Sequence, residues 1–180
     1  MKIISAIIFL SVFVNATDYF AKLEPLETYN IKSAVSGQVI FTNDNIEGSI
    51  SHNSIIVTID SEIDKIDFKQ TTNKLKTLTK IITIEKSTLK KFKNIRSKSQ
   101  LDKDNQQIKI LNLENQQSDM IVKLASLKDK ISKKELKEKN YYISNINVQV
   151  GDFVNPGSLL YTASNISKSK LEIFLPINST

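Results

Sequence analysis

The stretch VGDFVNPGSLLYTAS, residues 150–164, carries two of the chain's four glycines, six positions apart, among short apolar residues. Gly151-Asp152 and Asn155-Pro156-Gly157 are turn signals, and the apolar residues beside them read as short strands. Asp152 reads as a turn former. A piece this small has no core of its own and needs a second block to bury its apolar side. EGSISHNSIIVTID, residues 47–60, runs in the same order: Gly, a polar residue, an apolar residue, a turn, then an apolar strand. Gly151, Val154, Gly157 and Leu160 correspond to Gly48, Ile50, Asn53 and Ile56, with one residue fewer in the earlier set. Asn53 stands where the later copy has Gly157, a sensible exchange because both tolerate positive φ. The chain therefore holds an internal repeat of two hairpin-like β halves. The later half is expected to bury its apolar residues against the block around Gly48.

Between the halves lies a different kind of sequence. Residues 61–139 contain no glycine and no proline, and helix formers dominate. Phe68, Leu75, Ile82 and Leu89 recur every seven residues, as do Thr71, Leu78, Glu85 and Phe92, which places both sets on one stripe of a helix over about 61–98. A second helix repeats the habit with Leu101, Ile108 and Leu111, then Met120, Leu124, Leu127 and Ile131, with a register slip between Leu111 and Met120. Ser99 followed by Asp102 resembles a capping box and starts this second helix. The two helices are expected to fold back as a hairpin with its turn near 97–101, each arm on the order of 37 residues and roughly 55 Å long. The competing reading is one continuous helix through Ser99.

Around this centre the rest of the chain is bounded by composition. With no cysteine and a single histidine, His52, neither a disulfide framework nor a His/Cys zinc site is available. The net charge of +6 comes mostly from lysines interleaved with Glu and Asp, and Arg96 is the only arginine. That pattern is a solvated helix surface and not a phosphate-reading patch, so nucleic acid is not expected as a partner. Lys2, the apolar run over residues 3–14 and the Val14-Asn15-Ala16 site form a secretory signal peptide, residues 1–16. An uncleaved anchor is the alternative, although the run is shorter than the ~20 residues a bilayer span needs.

The fold expected is α+β: a small β-sandwich made of two half-motifs, 17–60 and 140–166, interrupted by a long antiparallel coiled-coil helical hairpin, 61–139. Two half-motifs of the biotinyl/lipoyl-like fold (a barrel-sandwich hybrid), separated by a helical hairpin and preceded by a signal peptide, resemble the HlyD-type periplasmic adaptors, or membrane fusion proteins. In that family a β-barrel follows, and the resemblance implies that residues 167–180 are the start of its first strand, cut short and leaving an unpaired apolar edge. The resemblance rests on AKLEPLETYNIKSAVSGQVI, residues 21–40 with the turn at Gly37, and on residues 150–164, which are similar to the family's Gly-Asp-x-Val-x-x-Gly-x-x-Leu signature.

That resemblance implies a non-catalytic subunit of a tripartite efflux or secretion system. It implies location in the periplasm in association with the inner membrane, and no cofactor. The implied partners are an inner-membrane transporter, an outer-membrane channel and further copies of the chain in a ring, a hexamer or a trimer of dimers. The family's hairpin tip pattern places Ser99 and Asp102 at the channel-docking turn, with Phe92 where the family has Leu and Thr88 where it has Arg. Phe92, Arg96, Ser99 and Asp102 are the docking residues so implied; Gly37, Gly48, Asn53, Gly151, Asp152 and Gly157 are the turn residues of the lipoyl-like halves. The family's Ala-Pro-x-x-Gly turn is replaced here by Asn140-Tyr141-Tyr142.

Two other readings compete. A biotin or lipoyl carrier needs one lysine at the tip of a tight turn between the halves, where this chain has about eighty residues of helix. A secreted coiled-coil scaffold or adhesion protein accounts for the helices and leaves the β halves without a purpose. No catalytic or metal residues are assigned. His52 lies in a polar stretch, Asp44, Glu47 and Asp152 are isolated turn carboxylates, and there is no phosphate loop or metal-ligand spacing.

Overall fold

The computed structural model describes residues 20–174; the signal-peptide reading of 1–16 and the terminal stretch 175–180 lie outside them. In chain order the elements are β1 (Phe20–Lys32), β2 (Gly37–Thr42), a single 3-10 turn (Asp44–Ile46), β3 (Ser49–Ile59), α1 (Glu62–Asn94), α2 (Gln100–Ser132), β4 (Glu135–Ile146), β5 (Phe153–Val154) and β6 (Leu159–Phe174). The strands join antiparallel in the order β1-β6-β4-β3-β2-β5.

The sheet is curled rather than flat, and burial shows it. Successive residues of a strand point to opposite faces. Ile56 and Val57, and again Leu160 and Tyr161, are all fully buried, so β3 and β6 are covered on both sides there. The core also gathers Val39, Ile59, Ile143, Val148 and Val154. The Tyr161 hydroxyl donates to Glu138 Oε1 at 2.8 Å; burial first, and that carboxylate second, push its pKa far up, so it stays a protonated donor.

Sequence-distant pieces close this unit. The N–H of Gly157 donates to the Ser33 carbonyl and that of Ser33 to the Ser158 carbonyl, both at 2.8 Å. Gly151 N–H donates to Val39 O at 2.9 Å, and Val39 N–H to Asp152 O at 2.8 Å. The turns of 150–164 therefore clasp the segment around Ser33 and Val39. The earlier block's Gly48 turns elsewhere, donating to Ile143 O. The two repeats share a core through Ile56 and Leu160, the burial expected of their apolar residues, while their turns hold different strands. Ile50 is exposed where its counterpart Val154 is buried.

The two helices lie side by side and run in opposite directions, because contacts join Asp64 to Lys130 near one end and Glu85 to Gln106 toward the other. At 33 residues each they are roughly 50 Å long. The inward stripe of α1 is the one read from sequence, with Thr71, Leu78, Ile82 and Leu89 buried. The stripe of α2 differs from expectation. Leu101, Ile108 and Leu111 are exposed, and the inward positions are Gln106, Ile110, Leu113 and Gln117, leading without a break into Met120, Leu124, Leu127 and Ile131. There is no register slip. Gln106 donates to Glu85 Oε2 at 2.7 Å and Gln117 to Thr79 Oγ1 at 2.8 Å, so two polar residues sit in the seam with partners.

Two boundaries also move. Helix ends at Ser132, and Glu135–Ile146 is strand, although ELKEK looks helical; Leu136 and Glu138 alternate inward while Glu135, Lys137 and Lys139 face solvent. β6 continues through Phe174 and is paired along its length with β1, Leu23 opposite Leu171 and Ala21 opposite Ile173, so residues 170–174 are not an unpaired edge.

Candidate docking tip and its anchorage

The tip is built by local chemistry. α1 stops at Asn94, and α2 begins beyond a short turn at an N-cap, Ser99. Its Oγ accepts from the Asp102 N–H at 3.1 Å while Asp102 Oδ2 accepts from the Ser99 N–H at 3.3 Å, a reciprocal capping box that satisfies two otherwise free donors. The chain is thus broken at Ser99 and not continuous through it. Lys98 reaches both ways from the turn: its Nζ lies 4.7 Å from the Phe92 ring centroid and 3.9 Å from Asp102 Oδ2. Phe92, Ser99 and Asp102 are therefore brought together around Lys98. Arg96 is exposed in the same turn.

At the other end the helices are rooted in the sheet by a buried charge. Lys134, between α2 and β4, places its Nζ 2.6 Å from Asp64 Oδ2 and 2.5 Å from the Asp60 carbonyl, with both the Lys134 and Asp64 side chains 8% exposed. Lys130 Nζ reaches the other oxygen, Asp64 Oδ1, at 2.8 Å. Burial pushes the Asp64 carboxyl upward, but the hydrogen bonds from Lys130 and Lys134 outweigh it and hold its pKa below the usual carboxylate range. The backbone joins the same place, Ile59 N–H donating to Lys134 O at 2.8 Å.

Sequence reasoning missed this junction, although a signal existed. Asp64 lies seven residues before Thr71 and Lys134 seven after Leu127, so both are charges on the inward positions of their helical stripes.

The six turn residues fall in separate places. Gly151 (φ 103°), Gly157 (φ 93°), Gly48 (φ 77°) and Asn53 (φ 64°) all have left-handed backbone. Asn53, however, lies within β3 and not in a turn. Gly37 is needed for space: a Cβ there stands 2.6 Å from Ile59 Cγ2. Asp152 Oδ2 accepts from Gln149 N–H at 2.8 Å and closes the turn at Gly151.

His52 is exposed on β3, Glu47 accepts from the Ile146 N–H at 3.3 Å, and among the described residues no three His, Cys, Asp or Glu side chains are grouped to hold a metal ion. Nor is any helix among them long and apolar enough to cross a membrane.

Structures of known proteins share the arrangement. The membrane fusion protein Spr0693 from Streptococcus pneumoniae R6 matches 87% of this chain with a TM-score of 0.60 at 7% identity. The fold is that of membrane fusion proteins. MacA from Actinobacillus actinomycetemcomitans matches 86% of the chain with a TM-score of 0.66 at 11% identity, and a putative efflux transporter from Bacteroides eggerthii DSM 20697 matches 88% with a TM-score of 0.59 at 16%. The chain spans 67%, 54% and 47% of the lengths of those three chains respectively. Neither a protein-family sequence model nor the sequence of a characterised protein matches it.

Proposed function

We propose that the chain is a non-catalytic periplasmic adaptor of a tripartite efflux or secretion system, bridging an inner-membrane transporter to an outer-membrane channel. One observation carries the reading. Two antiparallel helices, each roughly 50 Å long, are rooted by a buried ion pair in a β unit that sequence-distant halves close together. A rigid arm on a closed base suits a spacer between two membrane machines and suits no chemistry.

In this reading β1–β3 and β4–β6 form the split lipoyl-like barrel-sandwich, and α1 and α2 are the arm, with its tip at 95–99. Phe92, Arg96, Ser99 and Asp102 meet the channel, and residues 1–16 export the chain to the periplasm. Copies of the chain surround the conduit as a ring.

Cross-linking in intact envelopes followed by purification of the tagged chain tests the proposal. Recovery of a transporter and a channel is the expected result. Recovery of neither overturns the adaptor reading and leaves a secreted scaffold in its place.

A further inference from the structure

The net charge of the chain is concentrated in one place. From Lys86 to Lys103 stand six lysines and one arginine against a single acid, Asp102, an excess of +6 that equals the +6 of the whole sequence. The charges of all other residues therefore cancel. This segment is the end of α1, the turn and the start of α2, so the excess sits at the free end of the arm. The acids beside it are already engaged: Glu114 with Lys86 at 2.6 Å, Glu85 with Lys109 at 2.7 Å, and Asp104 with Gln100 Nε2 at 2.8 Å. Asp102 is held in the cap at Ser99. Lys90, Lys91, Lys93, Arg96 and Lys103 make no ion pair among the described residues.

Helix stability does not account for this cluster. Cations in the last turn of α1 complement its dipole, which covers Lys91 and Lys93. Lys98 and Lys103 flank the N-terminus of α2, where the dipole opposes a cation. Apolar side chains also stand open among the charges. Ile95, in the turn, is 43% exposed and Leu101, in the first turn of α2, is 69% exposed.

Basic side chains set around an open apolar end are the chemistry of an anionic lipid surface, where cations meet headgroups and apolar groups enter the interface. Lys90, Lys91 and Lys93 lie within about 6 Å of the end of α1 along its axis, inside the ~10 Å reach of charge at 0.1 M salt. The choice of lysine separates this from a protein face. Lysine is a flexible point charge that suits a diffuse array of headgroups, whereas docking faces on proteins favour arginine and are poor in lysine.

We propose that the tip of the arm binds an anionic phospholipid surface, its lysines on the headgroups and Ile95 and Leu101 in the interface. This goes beyond the adaptor reading, and lipid binding does not depend on it. In an adaptor it would hold the docking residues at the membrane that carries the channel.

The chain has no tryptophan, so one introduced at the tip reports its own surroundings. In the full chain, Ile95→Trp emission is expected to shift to shorter wavelength with vesicles of equal parts phosphatidylglycerol and phosphatidylcholine, and to stay unchanged with phosphatidylcholine alone. Thr77→Trp, exposed midway along α1, is expected to stay unchanged with both. Adding Lys90→Gln/Lys91→Gln/Lys93→Gln to Ile95→Trp should raise the lipid concentration needed for the shift about 100-fold, at roughly five-fold per lysine. Lys69→Gln/Lys74→Gln/Lys76→Gln removes the same charge from the other half of α1 and should leave the shift as it was. Raising salt from about 0.1 M to about 1 M should reverse binding. Helical circular dichroism, unchanged in each variant, shows the arm to be formed.

No shift of Ile95→Trp, an equal shift on neutral vesicles, or equal losses from the two lysine triples overturns the proposal. Binding through the apolar run of residues 3–14 would show itself by ignoring tip charge, lipid charge and salt. A tip triple that loses the channel from envelopes while Ile95→Trp ignores vesicles assigns the basic tip to an acidic protein face, and overturns the lipid proposal equally. Vesicle binding without recovery of transporter or channel refutes the adaptor reading alone.

Discussion

The two ends of the helix pair are held by opposite means. At the root, Lys134 and Asp64 are both buried and tied to Asp60 and Lys130, and the contact joins residues seventy apart in sequence. At the tip, Ser99, Asp102, Lys98 and Phe92 are close neighbours in sequence and partly or fully open to solvent. A buried pair that loses one member leaves an uncompensated charge, whereas an exposed cap that is lost is replaced by water. The root is therefore expected to govern whether the arm is fixed to the β unit, and the tip to govern only the local shape of its end.

The largest effect should come from breaking the root. Asp64→Ala leaves Lys134 buried with only a carbonyl for a partner and is expected to cost about 3 kcal/mol in denaturant unfolding. Replacing both members with apolar residues, as in Asp64→Leu/Lys134→Met, should recover most of that loss, since the penalty arises from the unpaired charge. Recovery no better than the single variant would mean that the pair stabilises in its own right.

The same contact fixes a pH dependence. The Asp64 carboxyl is held below its ordinary range in the folded chain, so its contribution is complete above the unfolded value and is lost as pH falls through the folded one. The stability difference between the parent chain and Asp64→Asn is expected to be flat from about pH 8 to about pH 5 and to shrink below about pH 4. A difference that already shrinks near neutrality would place the effect on another group.

Within the β unit, Gly157→Val forces a branched side chain into a backbone with φ 93° and should cost about 2 kcal/mol without any clash, because nothing lies within 4 Å of the added Cβ. A variant as stable as the parent would show that this turn relaxes freely. That would weaken the view that the clasp between Gly157 and Ser33 closes the unit.

These contrasts also separate what could be read in the sequence from what could not. Turn chemistry is local, so the left-handed backbone of Gly48, Gly151 and Gly157 and the cap at Ser99 follow from residue type and spacing, whereas Asn53 takes that backbone inside β3 and not in a turn. The stripe of α1 was legible because its inward positions are largely apolar. The stripe of α2 was not, because Gln106 and Gln117 occupy inward positions while Leu101, Ile108 and Leu111 lie outside. Hydropathy says which residues gain from burial, not which partner buries them. The strand at Glu135 was hidden by charged residues that alternate, and the Asp64–Lys134 pair by the many other charges around it.

The smallest effect belongs to the tip. Ser99→Ala removes the acceptor for the Asp102 N–H, and a lost cap of this kind typically costs about 1 kcal/mol. Because the site is exposed and at a helix end, the cost should appear as fraying of the first turn of α2 rather than as global unfolding. Amide hydrogen exchange is expected to quicken at residues 101–104 and to stay unchanged at Ile59 and Lys134. Equal acceleration at both ends would mean that tip and root open together, so that the arm is a single cooperative unit and the contrast between its ends does not hold.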